Sequence, residues 1–401
     1  MTVTIQPGCL KGTVNAISSK SMAHRLLLCA ALCKGETDLY FHGMGQDVAA
    51  TMDCLTALGT EFHPIPGGYH IVPLAQPGGK QELCVRESGT TLRLLLPILG
   101  ALGISASLKL QGRLPQRPLE PLASELLRCG MQLRLEGDTL DVSGKLKERD
   151  FHLDGSVSSQ FLSGLLFALC LMGGGSLRVL GRLSSAPYLQ MTIDALCRFG
   201  AEITQKENIF YVNCQRLQSP GTCHVEGDWS NSAFWLCADR FPGNSIQVEG
   251  LDFQSLQADR AILEIMQHMD TVACDACPDL VPPLAVLAAL TPGVTRFCDC
   301  ARLRLKESDR IAACLGLLHQ LGAVAEETRD GFLVQGCETL QGGVVDSQND
   351  HRIAMAAAIA ASRCRAPVTV LDAQSVEKSD PAFWDTLAAL GARLQKEAHH
   401  V

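Results

Sequence analysis

The residues best able to do chemistry in this sequence gather where helices are expected to begin. Lys20-Ser21 with Arg25, Ser88-Gly89-Thr90 with Arg93, and Arg117 beside Pro118 come first. Ser158-Ser159-Gln160, Lys306-Glu307-Ser308-Asp309-Arg310, Asn349-Asp350-His351-Arg352 and Lys378-Ser379-Asp380 follow. A helix amino end offers free N–H groups and about half a positive charge, which suits phosphate or carboxylate. Arg adds a planar two-pronged grip, and Lys adds a mobile charge that can also give up a proton. Singly, such a Ser is a plain cap, such an Arg a surface group, and His351 a structural hydrogen bonder. Jointly they point elsewhere, because a bare scaffold has no need of cations where the helix dipole disfavours them. The pattern fits a pocket for a small, multiply anionic ligand.

Two acids stand out among these cations. Asp279 lies between Pro278 and an apolar run, where partial burial would raise its pKa towards that of a general base. An ordinary N-cap fits the same pattern equally well. Glu307, wedged between Lys306 and Arg310, reads as an ion-pair member or a proton carrier. No Walker A or GxGxxG loop follows a strand, and no HExxH or comparable triad occurs, so neither a nucleotide cofactor nor a metal centre is expected. The 18 cysteines include Cys274, Cys277, Cys298 and Cys300. Their second pair has CxC rather than CxxC spacing, and packing as small buried hydrophobes is the preferred reading over zinc.

The elements that must position these groups recur six times. A helical stretch ending in a short turn and an apolar strand repeats with its turn residue at Gly59, Gly130, Gly200, Asp270, Gly322 and Gly391. Gly adopts the left-handed helix-ending conformation without strain, and Asp270 is expected to do the same as a short polar substitute. Each unit also holds a second, more apolar helix, expected to start near Ser21, Ser88/Thr90, Ser158, Ser230, Asp279 and Asn349. The runs behind these starts, such as 161–172, 284–290 and 353–361, are apolar nearly all round and read as buried. The first helix of each unit reads as amphipathic and more exposed. Short strands are expected at 108–110, 133–135 and 209–212. This gives an α/β protein of six units, three per domain, with the crossover around 225–228.

Length and composition agree. With 401 residues, 47% hydrophobic, the chain can bury two or three domain cores. No apolar run reaches the ~18 residues of a membrane span, and no signal peptide is evident, so a cytoplasmic protein is expected. The 34 basic and 42 acidic residues leave a formal charge of −8, a poor basis for nucleic acid or anionic membrane as partner.

Taken together, several motifs are recognisable. Ser18-Ser-Lys-Ser-Met-Ala-His-Arg25, Glu87-Ser-Gly-Thr-Thr-Leu-Arg93, Gln116-Arg-Pro-Leu119 and Asp154-Gly-Ser-Val-Ser-Ser-Gln-Phe161 resemble those of the 5-enolpyruvylshikimate-3-phosphate synthase family. So do Val225-Glu-Gly-Asp228, Leu305-Lys-Glu-Ser-Asp-Arg310, Asn349-Asp-His-Arg352 and Lys378, in order along nearly the whole chain. The resemblance implies two domains of three βαβαββ units each, with the active site in the interdomain cleft and the first few residues pairing with the second domain. The first domain is expected at 14–225, binding mainly shikimate 3-phosphate. The second, 1–13 with 226–401, is expected to supply the catalytic acids and much of the phosphoenolpyruvate binding.

The implied reaction moves the enolpyruvyl group of phosphoenolpyruvate to the 5-hydroxyl of shikimate 3-phosphate and releases phosphate, by addition and elimination without a cofactor. By position, Lys20, Ser21, Arg25, Ser158, Ser159, Gln160 and Tyr188 should hold shikimate 3-phosphate, and Lys20 should also reach phosphoenolpyruvate. Gly89, Arg117, Arg310, Arg352 and Lys378 should hold phosphoenolpyruvate, with Gln160 shared, and Lys306, His351 and Asp279 complete the binding set. Asp279 would take the hydroxyl proton, with Glu307 and Lys20 as proton carriers, domain closure expelling water. A monomer is implied. Two departures mark this chain: Arg302 stands where many members have Asn, and Leu94 where others have Pro, so sensitivity to glyphosate does not follow from the resemblance. The related transferase acting on UDP-N-acetylglucosamine typically has Asn after the first Lys and a loop Cys; here Ser21 follows Lys20 and 111–117 contains no Cys. A non-catalytic relative would be expected to have lost several of Lys20, Arg117, Asp279, Glu307, His351 and Lys378, and all are present.

Overall fold

The computed structural model describes residues 1–75 and 79–398. The chain forms two compact units: a central one, Ser18–Glu226, and a bipartite one, Met1–Ile17 with Gly227–Val401. Residues 14–17 thus go with the bipartite unit, because the strand Lys11–Asn15 pairs in parallel with Ser245–Glu249.

In the central unit the helices are α1 (Lys20–Leu32), α2 (Gln46–Ala57), α3 (Gly89–Leu102), α4 (Leu122–Arg128), α5 (Ser159–Leu171) and α6 (Ala186–Arg198). Three four-stranded sheets accompany them. In one, Asp150–Asp154 runs parallel to Gly175–Leu180, and Ile209–Asn213 and Glu202–Lys206 follow antiparallel. The other two repeat this order, and in the sheet that goes with α1 the outer parallel strand is Thr222–His224, from the far end of the unit. Helices α1, α3 and α5 are buried on nearly every face. Their continuous apolar sequences would be costly against water on any side. Where α3 meets α5, Pro97 cannot donate to the Arg93 carbonyl, and Gly164 lets α5 approach it: a Cβ there would lie 2.6 Å from Arg93 O.

The bipartite unit holds α7 (Trp229–Asp239), α8 (Ile262–Ile265), α9 (Val281–Ala289), α10 (Arg310–Gln320), α11 (His351–Ala360) and α12 (Phe383–Ala389). Two of its sheets have four strands, and Thr2–Ile5 lies between Val368–Leu371 and Leu394–Glu397 in one of them. Among the described residues the third is the parallel pair Lys11–Asn15 and Ser245–Glu249. Repeated α/β units in two bodies are therefore present, five with a four-stranded sheet and one reduced among the described residues.

Several local expectations change. Within each sheet's stretch of chain the apolar helix comes first and the amphipathic one second, since the frame is set by which strands share a sheet, which a period alone cannot fix. The caps are Ser19, Ser88, Ser158, Asp228, Asp309 and Asp350, each accepting a main-chain N–H, so three starts shift by one or two residues from Ser21, Ser230 and Asn349. Gly59, Gly130, Gly200, Gly322 and Gly391 all have φ between +80° and +109°, but Asp270 is not among the positive-φ residues. The helix before Asp270 is a 3₁₀ turn and the single turn α8, so that copy needs no left-handed terminator.

Candidate active site

The expected residues fall into a constellation in each unit. In the bipartite unit Asp279 sits in the 3₁₀ turn Pro278–Leu280 that leads into α9 and caps no helix. Its Oδ1 receives Arg310 Nη1 at 2.7 Å, with Lys306 Nζ 3.5 Å away, and its Oδ2 receives Arg352 Nη2 at 3.1 Å. Arg310, at the amino end of α10, also donates to Glu307 Oε2 at 2.6 Å and, through Nε, to Asp350 Oδ2 at 2.9 Å. Arg352, one residue into α11, donates to Ser230 Oγ at 3.0 Å. Beside it His351 is buried, with Nδ1 3.8 Å from Asp350 Oδ1. Lys378 Nζ donates to Asn349 O at 2.6 Å. It thereby braces a backbone in which Gln348 and Asn349 both have φ above +50°, a conformation Gln rarely adopts.

These contacts decide the protonation of Asp279 against the expectation of a raised pKa. Burial pushes the carboxyl up, but the charges of Arg352, Lys306 and Arg310 outweigh it and hold Asp279 well below the usual carboxylate range. It is an ionised hydrogen-bond acceptor at neutral pH, able to orient a hydroxyl, rather than a poised neutral acid. Lys306 is also lowered, but towards its neutral form: burial first, and Arg310 with it, bring its ammonium down to about 8 despite Asp279. Three cations (Lys306, Arg310, Arg352) meet three carboxylates (Asp279, Glu307, Asp350), so an incoming anion must compete with the protein's own acids.

In the central unit Lys20 opens α1, and its Nζ lies 3.0 Å from Asp47 Oδ2 on α2. Arg25 is buried one turn on, donating to Ser21 O at 2.6 Å, Thr192 Oγ1 at 2.7 Å and Tyr188 O at 2.9 Å. The structure thus joins Ser21, Arg25 and Tyr188, with both Ser21 and Tyr188 contributing main-chain carbonyls. At the start of α3, a Cβ on Gly89 would lie 2.9 Å from Arg117 Nη1. The group that approaches Gly89 closely here is the Arg117 guanidinium. Ser158 and Ser159 open α5, both buried, and Gln160 bonds Thr90 Oγ1 at 2.8 Å and Arg93 Nη1 at 2.9 Å.

Two contributors, Asp47 and Ser230, escaped the sequence reading, and Asp350 was singled out there without a partner. Asp47 is separated from Lys20 by 27 residues, and only its place in the first turn of an amphipathic helix marks it. Ser230 reads as a helix start, yet it holds Arg352, and Asp350, which caps α11, holds Arg310. Arg302, the departure noted above, pairs with Asp275 at 3.2 Å. Of the four clustered cysteines, Cys274 and Cys300 are buried with sulfurs 3.1 Å apart. Among the described residues no group of three or more His, Cys, Asp or Glu side chains is arranged to hold a metal.

A family model described as EPSP synthase (3-phosphoshikimate 1-carboxyvinyltransferase) matches residues 5–275 and 270–387. The 3-phosphoshikimate 1-carboxyvinyltransferase of Clostridium acetobutylicum is 38% identical over 97% of both chains, and that of Clostridium kluyveri 35% over 98% of both. A solved structure of EPSP synthase from Acinetobacter baumannii, 24% identical, shares the fold with a TM-score of 0.81 over 98% of this chain and 100% of that one. From motifs, fold and relatives alike, the chain belongs to the EPSP synthase (3-phosphoshikimate 1-carboxyvinyltransferase) family.

Proposed function

We propose that the two constellations carry out the family's reaction, in which the enolpyruvyl group of phosphoenolpyruvate passes to the 5-hydroxyl of shikimate 3-phosphate and phosphate leaves. This is a transferase step of the shikimate pathway to chorismate and the aromatic amino acids. Both substrates carry a phosphate and a carboxylate, matching cations set at helix amino ends. Lys20, Ser21, Arg25, Ser158, Ser159, Gln160 and Tyr188 take shikimate 3-phosphate. Gly89, Arg117, Arg310, Arg352 and Lys378 take phosphoenolpyruvate, with Lys306 and His351 completing the set. The central unit thus serves mainly the shikimate substrate, and the bipartite unit contributes the acids. The observation that carries the assignment is the Asp279 carboxylate among Arg310, Arg352 and Lys306.

Asp279, held ionised, accepts the hydrogen bond of the 5-hydroxyl and then its proton as that oxygen attacks C2 of phosphoenolpyruvate. A proton reaches the methylene carbon, with Glu307 and Lys20 as its carriers. The tetrahedral intermediate then loses that proton and phosphate together. The enzyme works as a cytoplasmic monomer on small anions, not on nucleic acid or membrane. Its charge of −8 supports the former exclusion, and among the described residues no helix is long and apolar enough to cross a membrane. The EPSP synthase match and the absence of a loop Cys at 111–117 disfavour the UDP-N-acetylglucosamine acceptor.

The test is phosphate release from phosphoenolpyruvate by purified protein with shikimate 3-phosphate or UDP-N-acetylglucosamine. Release with the first alone is expected. Release with the second alone would overturn the acceptor, and silence with both from folded protein would overturn the activity.

A further inference from the structure

Behind Lys20 a fully buried histidine takes no part in the chemistry above. His24 Nδ1 lies 2.7 Å from Thr51 Oγ1 on α2, and Thr51 Oγ1 lies 2.7 Å from Thr91 Oγ1 on α3. Thr91 then donates to the Ser88 hydroxyl at 2.7 Å, a group that also caps α3 by accepting Thr91 N–H. All four side chains are at most 1% exposed, so each link is made without water. One hydroxyl proton per threonine fixes the direction. Thr91 spends its proton on Ser88, so it must accept from Thr51; Thr51 then has none left for His24 and must accept from Nδ1–H. His24 Nε2 has no hydrogen-bond partner among the described residues. A bare ring nitrogen is tolerable in that position, whereas an N–H there would be a buried donor without an acceptor.

We infer that His24 is a positioning residue, locked as the Nδ1–H neutral imidazole, whose one-way chain through Thr51 and Thr91 to Ser88 fixes the amino end of α3 against α1 and α2. Burial first, then the charges of Lys20 and Arg25, hold the imidazole pKa well below its ordinary value, which agrees with that state. The consequence falls on Gly89 and Arg117, next to the cap, and so on phosphoenolpyruvate; in this the inference rests on the function proposed above. Arg25 is anchored separately to Thr192 and the Tyr188 carbonyl, so the shikimate 3-phosphate residues of α1 do not depend on the chain.

The test compares Thr51→Val, which keeps shape but cuts the chain, with Thr51→Ser, which restores the hydroxyl. Thr51→Val should lower kcat/KM for phosphoenolpyruvate by about tenfold to a hundredfold, the scale set by a small misplacement of binding groups. KM for shikimate 3-phosphate should change little, and Thr51→Ser should recover most of the loss. His24→Asn, whose amide can donate from near the Nδ1 position, should stay closer to wild type than His24→Leu. Independently of activity, nitrogen NMR of the wild-type protein should find His24 protonated at Nδ1 and not titrating over about pH 5–8, where free histidine does. A proton on Nε2, titration in that range, or equal weakening of both substrates in an otherwise active Thr51→Val enzyme would overturn the inference. An inactive wild-type protein would instead overturn the function, leaving the NMR result to judge His24.

Discussion

Asp279 Oδ1 lies 2.7 Å from Nη1 of Arg310, a guanidinium that is 1% exposed and that also grips Glu307 and Asp350. With Arg352 and Lys306, this contact holds Asp279 well below the usual carboxylate range, in a place set by the cations around it. Its basicity is low, so in the proposed reaction it would direct a hydroxyl and receive the proton only as attack proceeds. Asp279→Ala should therefore cut kcat by about 10²–10⁴, the range for a positioned proton acceptor, with a smaller change in KM. Steady-state kinetics with each substrate varied will check this, and unchanged turnover would remove Asp279 from the mechanism. Because its folded pKa is depressed, the stability it contributes is present above the ordinary carboxyl pKa and is lost only as pH falls below it. An acid limb in kcat near pH 6 should not be assigned to Asp279.

Lys306 gives a pH dependence of opposite origin. Its ammonium is brought down to about 8, so as pH rises through that value it loses the charge with which it would meet an anionic substrate. KM for the substrate it contacts should climb above about pH 8, and Lys306→Arg, which stays protonated, should flatten the climb. A wild-type KM that is level from pH 7 to about 9.5 would contradict the lowered ammonium.

How much of this was legible depended on range. Ser88 and Ser158 announce their helices because a capping hydroxyl and the N–H that donates to it are two or three residues apart. The glycines at 59, 130, 200, 322 and 391 mark helix ends for the same local reason. The protonation of Asp279 was not legible, since the cations that control it, Lys306, Arg310 and Arg352, come from further along the chain. The sequence around Asp279 shows only a proline and an apolar run, which argue for a raised pKa. Asp47 was hidden in the same way, since nothing in a 27-residue separation says that α2 brings it to Lys20. The reduced copy was visible only as Asp270 in place of glycine, a sign that reads as substitution until the single-turn helix before it is seen.

Asp380, two residues beyond Lys378, predicts a measurable cost. Its carboxyl is 2% exposed and accepts from Asn231 Nδ2 at 3.3 Å and Ala382 N at 3.1 Å. Burial, which those two bonds oppose and Asp228 reinforces, raises its pKa to about 6 from 3.8. A raised acid is neutral in both folded and unfolded chains below pH 3.8, and the penalty of ionising it grows as pH rises to about 6 and is complete above. Asp380→Asn keeps an oxygen for Ala382 and removes the charge. It should stabilise the fold at pH 7 by up to about 3 kcal/mol, two pKa units at 1.36 kcal/mol each, and the gain should shrink towards pH 4. Chemical denaturation of both proteins at the two pH values will decide; a pH-independent difference would point to packing instead.

The contact of α5 with α3 yields the last prediction. Alanine for glycine within a helix ordinarily gains about 1 kcal/mol. At Gly164 the added methyl would stand 2.6 Å from the Arg93 carbonyl and 2.9 Å from Pro97 Cγ, and neither can swing aside: one is main chain, the other a ring locked into the same helix. Gly164→Ala should therefore be destabilising by about 1–3 kcal/mol, as overpacking of a tight core usually is, in spite of the better helix propensity. The displacement would also reach function. Arg93, whose carbonyl is pushed, holds Gln160 by its side chain at 2.9 Å, and Gln160 sits on α5, the helix doing the pushing. Urea unfolding should show the loss of stability, and kinetics should show a raised KM for both substrates, since Gln160 is proposed to touch both. A variant as stable as the parent would mean that the two helices part without cost, and the close approach would then have no structural necessity.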